Sequence, residues 1–131
     1  MGKYVAENAV KQLIKCNKLI NKAKVGILGI TFKENCPDIR NTKVVDIYHT
    51  LCSYSSRITV LDPWVDGQQA YSEYGIEVVD SIKAEDRYDA AIMAVAHRQF
   101  LDVDWRQYVP QPGVLYDVKG VLPRDIVDAR L

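Results

Sequence analysis

Lys24-Val-Gly-Ile-Leu-Gly-Ile30, continued by Thr31-Phe-Lys-Glu-Asn-Cys-Pro-Asp-Ile-Arg40-Asn-Thr-Lys-Val-Val-Asp-Ile47, is the stretch that decides the fold. Its first seven residues form a short apolar run with small residues that let neighbouring backbone come close, which reads as a parallel strand buried on both faces. Val44, Val45, Ile47, Tyr48 and Leu51 then recur at helical spacing, so residues 32–42 form the loop at the carboxyl end of that strand. In open α/β sheets this is the end where ligands bind. The loop carries Lys33 and Arg40, and two cations ahead of a helix amino terminus suit an anionic ligand such as phosphate.

Working outward, Ala6, Ala9, Val10, Leu13, Ile14 and Ile20 mark one face of an amphipathic helix from Tyr4 to about Asn21, with Lys11, Gln12, Lys15 and Lys18 opposite. The helix after the motif loop runs from about Thr42 to Ser53, with Asn41 or Thr42 placed to cap it. A second strand, Arg57 to Leu61, is stopped by Asp62-Pro63. Val65 to Tyr74 reads as a short helix closed by Gly75, Ile76 to Val79 as a short strand, and Ser81 to Asp86 as a helical turn. Tyr88 to Val95 is the expected central strand, His97 to Val109 a helix, and Val114 to Val118 the last strand. Pro123 to Leu131 is a closing turn or short helix. Strands alternating with helices at this spacing predict a mainly parallel sheet of about five strands with helices on both faces.

With 131 residues the chain has the length of one domain and can bury a single core. Lys plus Arg and Asp plus Glu number 17 each, so no global field draws it to nucleic acid or to an anionic membrane, and any anion site must be local. No apolar run approaches a membrane span, and charges throughout residues 1–24 argue against a signal peptide, so the cytoplasm is the expected compartment. Cys16, Cys36 and Cys52 have neither a disulfide-framework pattern nor a zinc spacing. Cys16 and Cys52 are expected as small, buried or half-buried helix residues. Cys36, in the charged loop, admits two readings, an inert thiol or a nucleophile activated by Lys33 and Arg40.

Gly29, Phe32, Lys33, Asp38 and Arg40 spell a phrase close to G-x-x-F-K-x-x-x-x-D-x-R. This resembles the nucleotide-sugar-binding, carboxyl-terminal domain of the nucleotide-sugar 6-dehydrogenases, enzymes that oxidise a UDP- or GDP-sugar to its uronic acid with NAD. The full wording Phe32-Lys-Glu-Asn-Cys-Pro-Asp-Ile-Arg-Asn-Thr42 looks most like the branch acting on UDP-N-acetylhexosamines for surface polysaccharides. The similarity extends through residues 1–6, Leu61-Asp-Pro-Trp64 and Tyr116-Asp-Val-Lys119, and so covers essentially the whole chain. It implies a Rossmann-like three-layer α/β/α sandwich over 24–131, joined by the helix of 1–23 to a central region and an NAD-binding domain of the same polypeptide. It also implies a homo-oligomer when intact, and no binding of nucleic acid or membrane.

The same resemblance implies roles for individual residues. Phe32 and Lys33 match a pair that contacts the nucleotide-sugar, and Lys119 stands where a substrate-binding arginine, or lysine in some branches, is usual. Lysine there offers a point charge and no fork. Arg40 matches an arginine that reaches the NAD held by the rest of the enzyme; a guanidinium suits a pyrophosphate, each charge-assisted bond being worth roughly 1.5–3 kcal/mol. Lys33, just beyond the strand end, can reach phosphate or sugar oxygens from above the sheet, against the lesser reading of a solvated loop lysine; read from the residues alone, Arg40 is equally a helix-entry arginine paired with Asp38, which would orient the loop. Asp62 ends the second strand, where a Rossmann acid would bind ribose, or with Pro63 following is a turn former, and His49 and His97, far apart in sequence, read as structural or surface residues. No metal site and no catalytic residue is expected here, since the family's cysteine lies in a Gly-rich phrase of the preceding half and Cys36 does not match it. The alternatives to a dehydrogenase part are a free-standing nucleotide-binding regulatory module and an oligomerisation module with an empty crevice.

Overall fold

The computed structural model describes residues 2–16, 22–40, 42–54, 57–83, 85–110 and 113–130. In chain order the elements are α1 (Gly2–Lys15), β1 (Val25–Leu28), α2 (Val44–Cys52), β2 (Ile58–Leu61), α3 (Gly67–Tyr74), β3 (Val78–Val79), β4 (Ala90–Met93), α4 (Arg98–Leu101), α5 (Trp105–Tyr108), β5 (Val114–Asp117) and β6 (Ala129–Arg130). All strands pair in parallel, in the order β3-β2-β1-β4-β5-β6. That is the doubly wound, Rossmann-like order, and it reverses between β1 and β4.

Every residue of β1, β4 and β5 is buried, as parallel strands covered on both faces must be. Alternation along the strands sorts their side chains into two cores. Val25, Ile27, Val60, Ala90, Ile92, Val114 and Tyr116 pack against Val5, Ala6, Ala9, Val10 and Leu13 of α1, Val44, Ile47 and Leu51 of α2, and Ala70 of α3. Leu28, Leu61, Ala91, Met93 and Leu115 point the other way, onto Phe100, Trp105, Val109 and Leu122. Three layers result, with long helices on one face and short ones on the other.

Several expectations need correction. Among the described residues the sheet has six strands, because 123–130, expected as a turn or short helix, makes a turn and then β6. Two residues carry no legible period; β6 exists through its register with Tyr116 and Asp117 and through Asp128, whose carboxylate accepts the Leu115 N–H at 2.8 Å. The helix expected over 97–109 is two separate turns of helix, α4 and α5. In a continuous helix the Phe100 carbonyl would accept from the Asp104 N–H; here it accepts from the Trp105 indole at 2.9 Å, and the helix stops. Finally, Ile14 is 58% exposed, at the edge of the stripe that Ala6, Ala9, Val10 and Leu13 bury, and Cys52 is exposed. The expected end of the first helix, including Lys18 and Ile20, lies outside the described residues.

Helix ends follow local chemistry. Asp66 caps α3 by accepting the Gln68 N–H at 3.0 Å, and Gly75 closes it in the left-handed region at φ 69°. At α2 the N-cap position is Lys43, which makes no cap bond; the Thr42 hydroxyl, one residue earlier, accepts the Val44 N–H at 3.2 Å. Among the described residues no helix is long and apolar enough to cross a membrane.

Where the strand order reverses, β1 and β4 must leave the sheet side by side. Gly29 makes this possible: its φ is +94°, and a Cβ there would lie 2.6 Å from the Val95 Cβ. Gly29→Ala should therefore destabilise the chain by roughly 2–5 kcal/mol in urea unfolding, through backbone strain plus overlap. Gly26→Ala, which meets only the Tyr88 ring at 3.3 Å, should lose about 1 kcal/mol or less.

Candidate functional site

The carboxyl ends of β1, β4 and β5 form one rim, from which the loops 29–43, 94–97 and 118–124 rise. Between them is a mainly apolar cavity of about 130 Å³, walled by Val5 of α1, Val44 and Ile47 of α2, Ala94, Val95 and Val118, with Phe32 and Lys119 at its lining. Phe32 is 58% exposed. Of the residues selected from sequence, Phe32 and Lys119 are thus brought together on one cavity. Lys33 is exposed beside it, outside the lining, and makes no ion pair with a described residue.

Lys119 is held from both sides. Its ammonium lies 3.4 Å from Glu34 Oε1, both side chains being about two-fifths exposed (41% and 38%). The Glu34 carboxyl sits below its ordinary range, first through its own backbone N–H and then, against burial, through the Lys119 charge. The backbone under Lys119 is fixed by Asp117, which is fully buried at the end of β5. Asp117 Oδ1 accepts the N–H groups of Lys119 and Gly120 at 3.2 and 2.9 Å, and Oδ2 accepts that of Leu122 at 2.8 Å.

The motif loop closes on itself through the Phe32 N–H, which donates to the Asp38 carbonyl at 2.7 Å, while the Tyr74 hydroxyl donates to the Ile39 carbonyl at 2.6 Å. Asp38 and Arg40 pair as the sequence allowed. Arg40 Nε donates to Asp38 Oδ1 at 3.0 Å and Nη2 to Oδ2 at 3.1 Å, with the Arg40 N–H on Oδ1 as well. The Arg40 hydrogen bonds hold the Asp38 carboxyl below its usual range. The Arg40 side chain remains 78% exposed and points its fork along the loop rather than into the cavity lining. Cys36 is half-buried in the loop, His49 is exposed, and among the described residues no group of His, Cys, Asp and Glu could hold a metal ion.

Two residues read as structural from sequence are fully buried polar groups of the site. Asp62, at the end of β2, and His97, after β4, are both fully buried and meet at 2.9 Å, Nε2 to Oδ2. Asp62 Oδ2 also accepts the Ile30 and Thr31 N–H groups at 2.8 and 3.3 Å, and Oδ1 accepts that of Trp64 at 2.8 Å, the turn expected of Asp-Pro. His97 Nδ1 accepts the Asn35 N–H at 3.0 Å. The only signal in sequence was that Asp62 directly follows one strand and His97 comes shortly after another; that they flank β1 requires the strand order.

Residues 26–124 match the family described as UDP-glucose/GDP-mannose dehydrogenase family, UDP binding domain. The whole chain aligns at 46% identity with a UDP-N-acetyl-D-glucosamine 6-dehydrogenase of Salmonella typhi, and at 43% with one of Pseudomonas aeruginosa. It spans 31% and 32% of those proteins, about a third of their length. In fold it resembles a solved UDP-D-ManNAc dehydrogenase of Pyrococcus horikoshii, with a TM-score of 0.79 over 99% of this chain and 30% of that one, at 21% identity.

Burial alone would raise the Asp62 pKa, but the bonds from His97, Ile30 and Trp64 outweigh it and hold the carboxyl below its ordinary 3.8. The unfolded chain then takes up the proton first, so this contribution is present above about pH 4–5 and is lost as pH falls through the folded-state value. Asp62→Asn should flatten that acid limb in urea unfolding measured across pH, and should lose roughly 1–3 kcal/mol at neutral pH. An acid limb unchanged in the variant would assign the pH dependence to other carboxylates.

Proposed function

The chain belongs to the UDP-glucose/GDP-mannose dehydrogenase family, of which it carries the UDP binding domain, and from that premise we propose that it holds the UDP portion of a nucleotide-sugar for a NAD-dependent UDP-N-acetylhexosamine 6-dehydrogenase. The observation that carries this reading is the placing of Phe32 and Lys119 on one cavity at the carboxyl end of the sheet, where the strand order reverses. Phe32 offers a ring and a fixed backbone, and Lys119 a cation to phosphate oxygens. Lys33, without an ion-pair partner among the described residues, adds a second cation from the rim. The hexosamine branch is supported by the names of the relatives at 46% and 43% identity.

The longer polypeptide would supply the NAD-binding and central domains, with residues 1–23 as the connection, and would act as a homo-oligomer in the cytoplasm in surface polysaccharide synthesis. NAD supplies the hydride acceptor when bound. The described residues fit it at one point only: Arg40, exposed and preset by Asp38, is available to a pyrophosphate at the loop edge. Asp38 takes one Nε–H and one Nη2–H, which leaves the Nη1 donors and the second Nη2–H of Arg40 to face a pyrophosphate. Substrate hold and cleft closure are therefore this chain's share of the reaction.

UDP titrated into the chain and followed by amide NMR should shift signals at 31–34, 94–95 and 118–119, and Lys119→Ala should raise the Kd about tenfold, roughly 1.4 kcal/mol. Lys33→Ala should weaken binding by a similar factor. A spectrum unchanged at millimolar UDP would overturn the reading.

A further inference from the structure

We infer that His97 is a positioning residue for the nucleotide-sugar loop, acting through Asn35 in a single ring tautomer. This extends the UDP-binding reading above and rests on it only for its effect on affinity.

The proton placement follows from the partners. Nδ1 faces a backbone N–H, that of Asn35 at 3.0 Å, and must be bare to accept it. Nε2 faces Asp62 Oδ2 at 2.9 Å and the Thr31 hydroxyl oxygen at 3.1 Å. The Thr31 hydroxyl already gives its own proton to the Lys33 carbonyl at 2.9 Å, so it turns lone pairs toward the ring. The proton therefore sits on Nε2. A side chain at this position must donate at one end and accept at the other, and both ends are closed to water by full burial.

What the ring holds is the turn that carries the site. Asn35 has φ +56°, a conformation disfavoured for a residue with a side chain, and two bonds fasten it to the β4 end. Its N–H goes to His97 Nδ1, and its Oδ1 accepts the Arg98 N–H at 2.8 Å. Asn35 follows Phe32, Lys33 and Glu34 directly, and Glu34 is the partner of Lys119. Loss of the Nδ1 acceptor would free the turn and blur the positions of Phe32 and Glu34, although His97 itself touches neither cavity nor ligand position.

Two variants separate the ends of the ring. In His97→Asn the carboxamide reaches the Nδ1 position, so it can accept from Asn35 but leaves Asp62 short of a donor. In His97→Gln the carboxamide reaches the Nε2 position, so it serves Asp62 and abandons the Asn35 N–H. Three readouts are taken on the whole chain: melting temperature, hydrogen exchange of the Asn35 amide, and UDP affinity. His97→Asn should melt lower yet keep Asn35 protected and most of the affinity. His97→Gln should melt closer to the unmodified chain yet lose Asn35 protection and bind UDP about five- to tenfold more weakly, the worth of about one hydrogen bond. A merely structural histidine would make affinity follow melting temperature in both variants, which would overturn the inference. So would ring nitrogen shifts of the unmodified chain showing the proton on Nδ1, a measurement that stands even where a variant does not fold. If the unmodified chain does not bind UDP, the functional reading fails, and Asn35 exchange still decides whether His97 holds the loop.

Discussion

Asp62 is a carboxylate without solvent exposure, and the carboxyl end of the sheet is arranged around satisfying it. An unpaired charge in such a place would destabilise the fold by several kcal/mol. Here donors converge from three segments: the Ile30 and Thr31 amides leaving β1, the Trp64 amide beyond β2, and the His97 ring beyond β4. Because those segments belong to three adjacent strands, one carboxylate fixes how the chain leaves the middle of the sheet. The motif loop begins at that point and inherits its geometry.

The second half of the sheet repeats the device. Asp117 closes β5 as Asp62 closes β2, buried and accepting the N–H groups of Lys119, Gly120 and Leu122. Each carboxylate ends the middle strand of its half in the order β3-β2-β1-β4-β5-β6 and shapes one wall of the same crevice. Between the walls, Glu34 and Lys119 join the first loop to the last by a half-exposed ion pair. Such a pair adds little to stability, so little is lost when it opens. The rigid groups are buried and the adjustable ones lie at the surface, an arrangement suited to a preformed site with exchangeable charges.

The balance of rigid and adjustable groups also explains Arg40. Its fork rests on Asp38, exposed enough that neither group is locked by burial. Alone in the chain the pair orders the loop; beside a bound pyrophosphate the same guanidinium has a competing partner of greater charge. On the reading proposed above, this residue both braces the loop through Asp38 and offers its remaining donors to the pyrophosphate.

Short apolar runs, helical spacing and the Asp-Pro and Gly stops located β1, β2, β4 and β5, the first three helices and the loop after β1, because each is a local property written in neighbouring residues. The spelling of that loop and of Tyr116 to Lys119 also pointed to the family. Sequence failed where structure depends on partners far along the chain. Strand β6 is too short to have a period and exists by pairing with β5. The break between α4 and α5 comes from the Trp105 indole taking the Phe100 carbonyl. Asp62 and His97 looked like a turn residue and a stray histidine because nothing local says that β2 and β4 both lie beside β1. Only the parallel order of the strands sets them 2.9 Å apart in a space closed to water, and there a buried carboxylate demands a donor and obtains one from the ring.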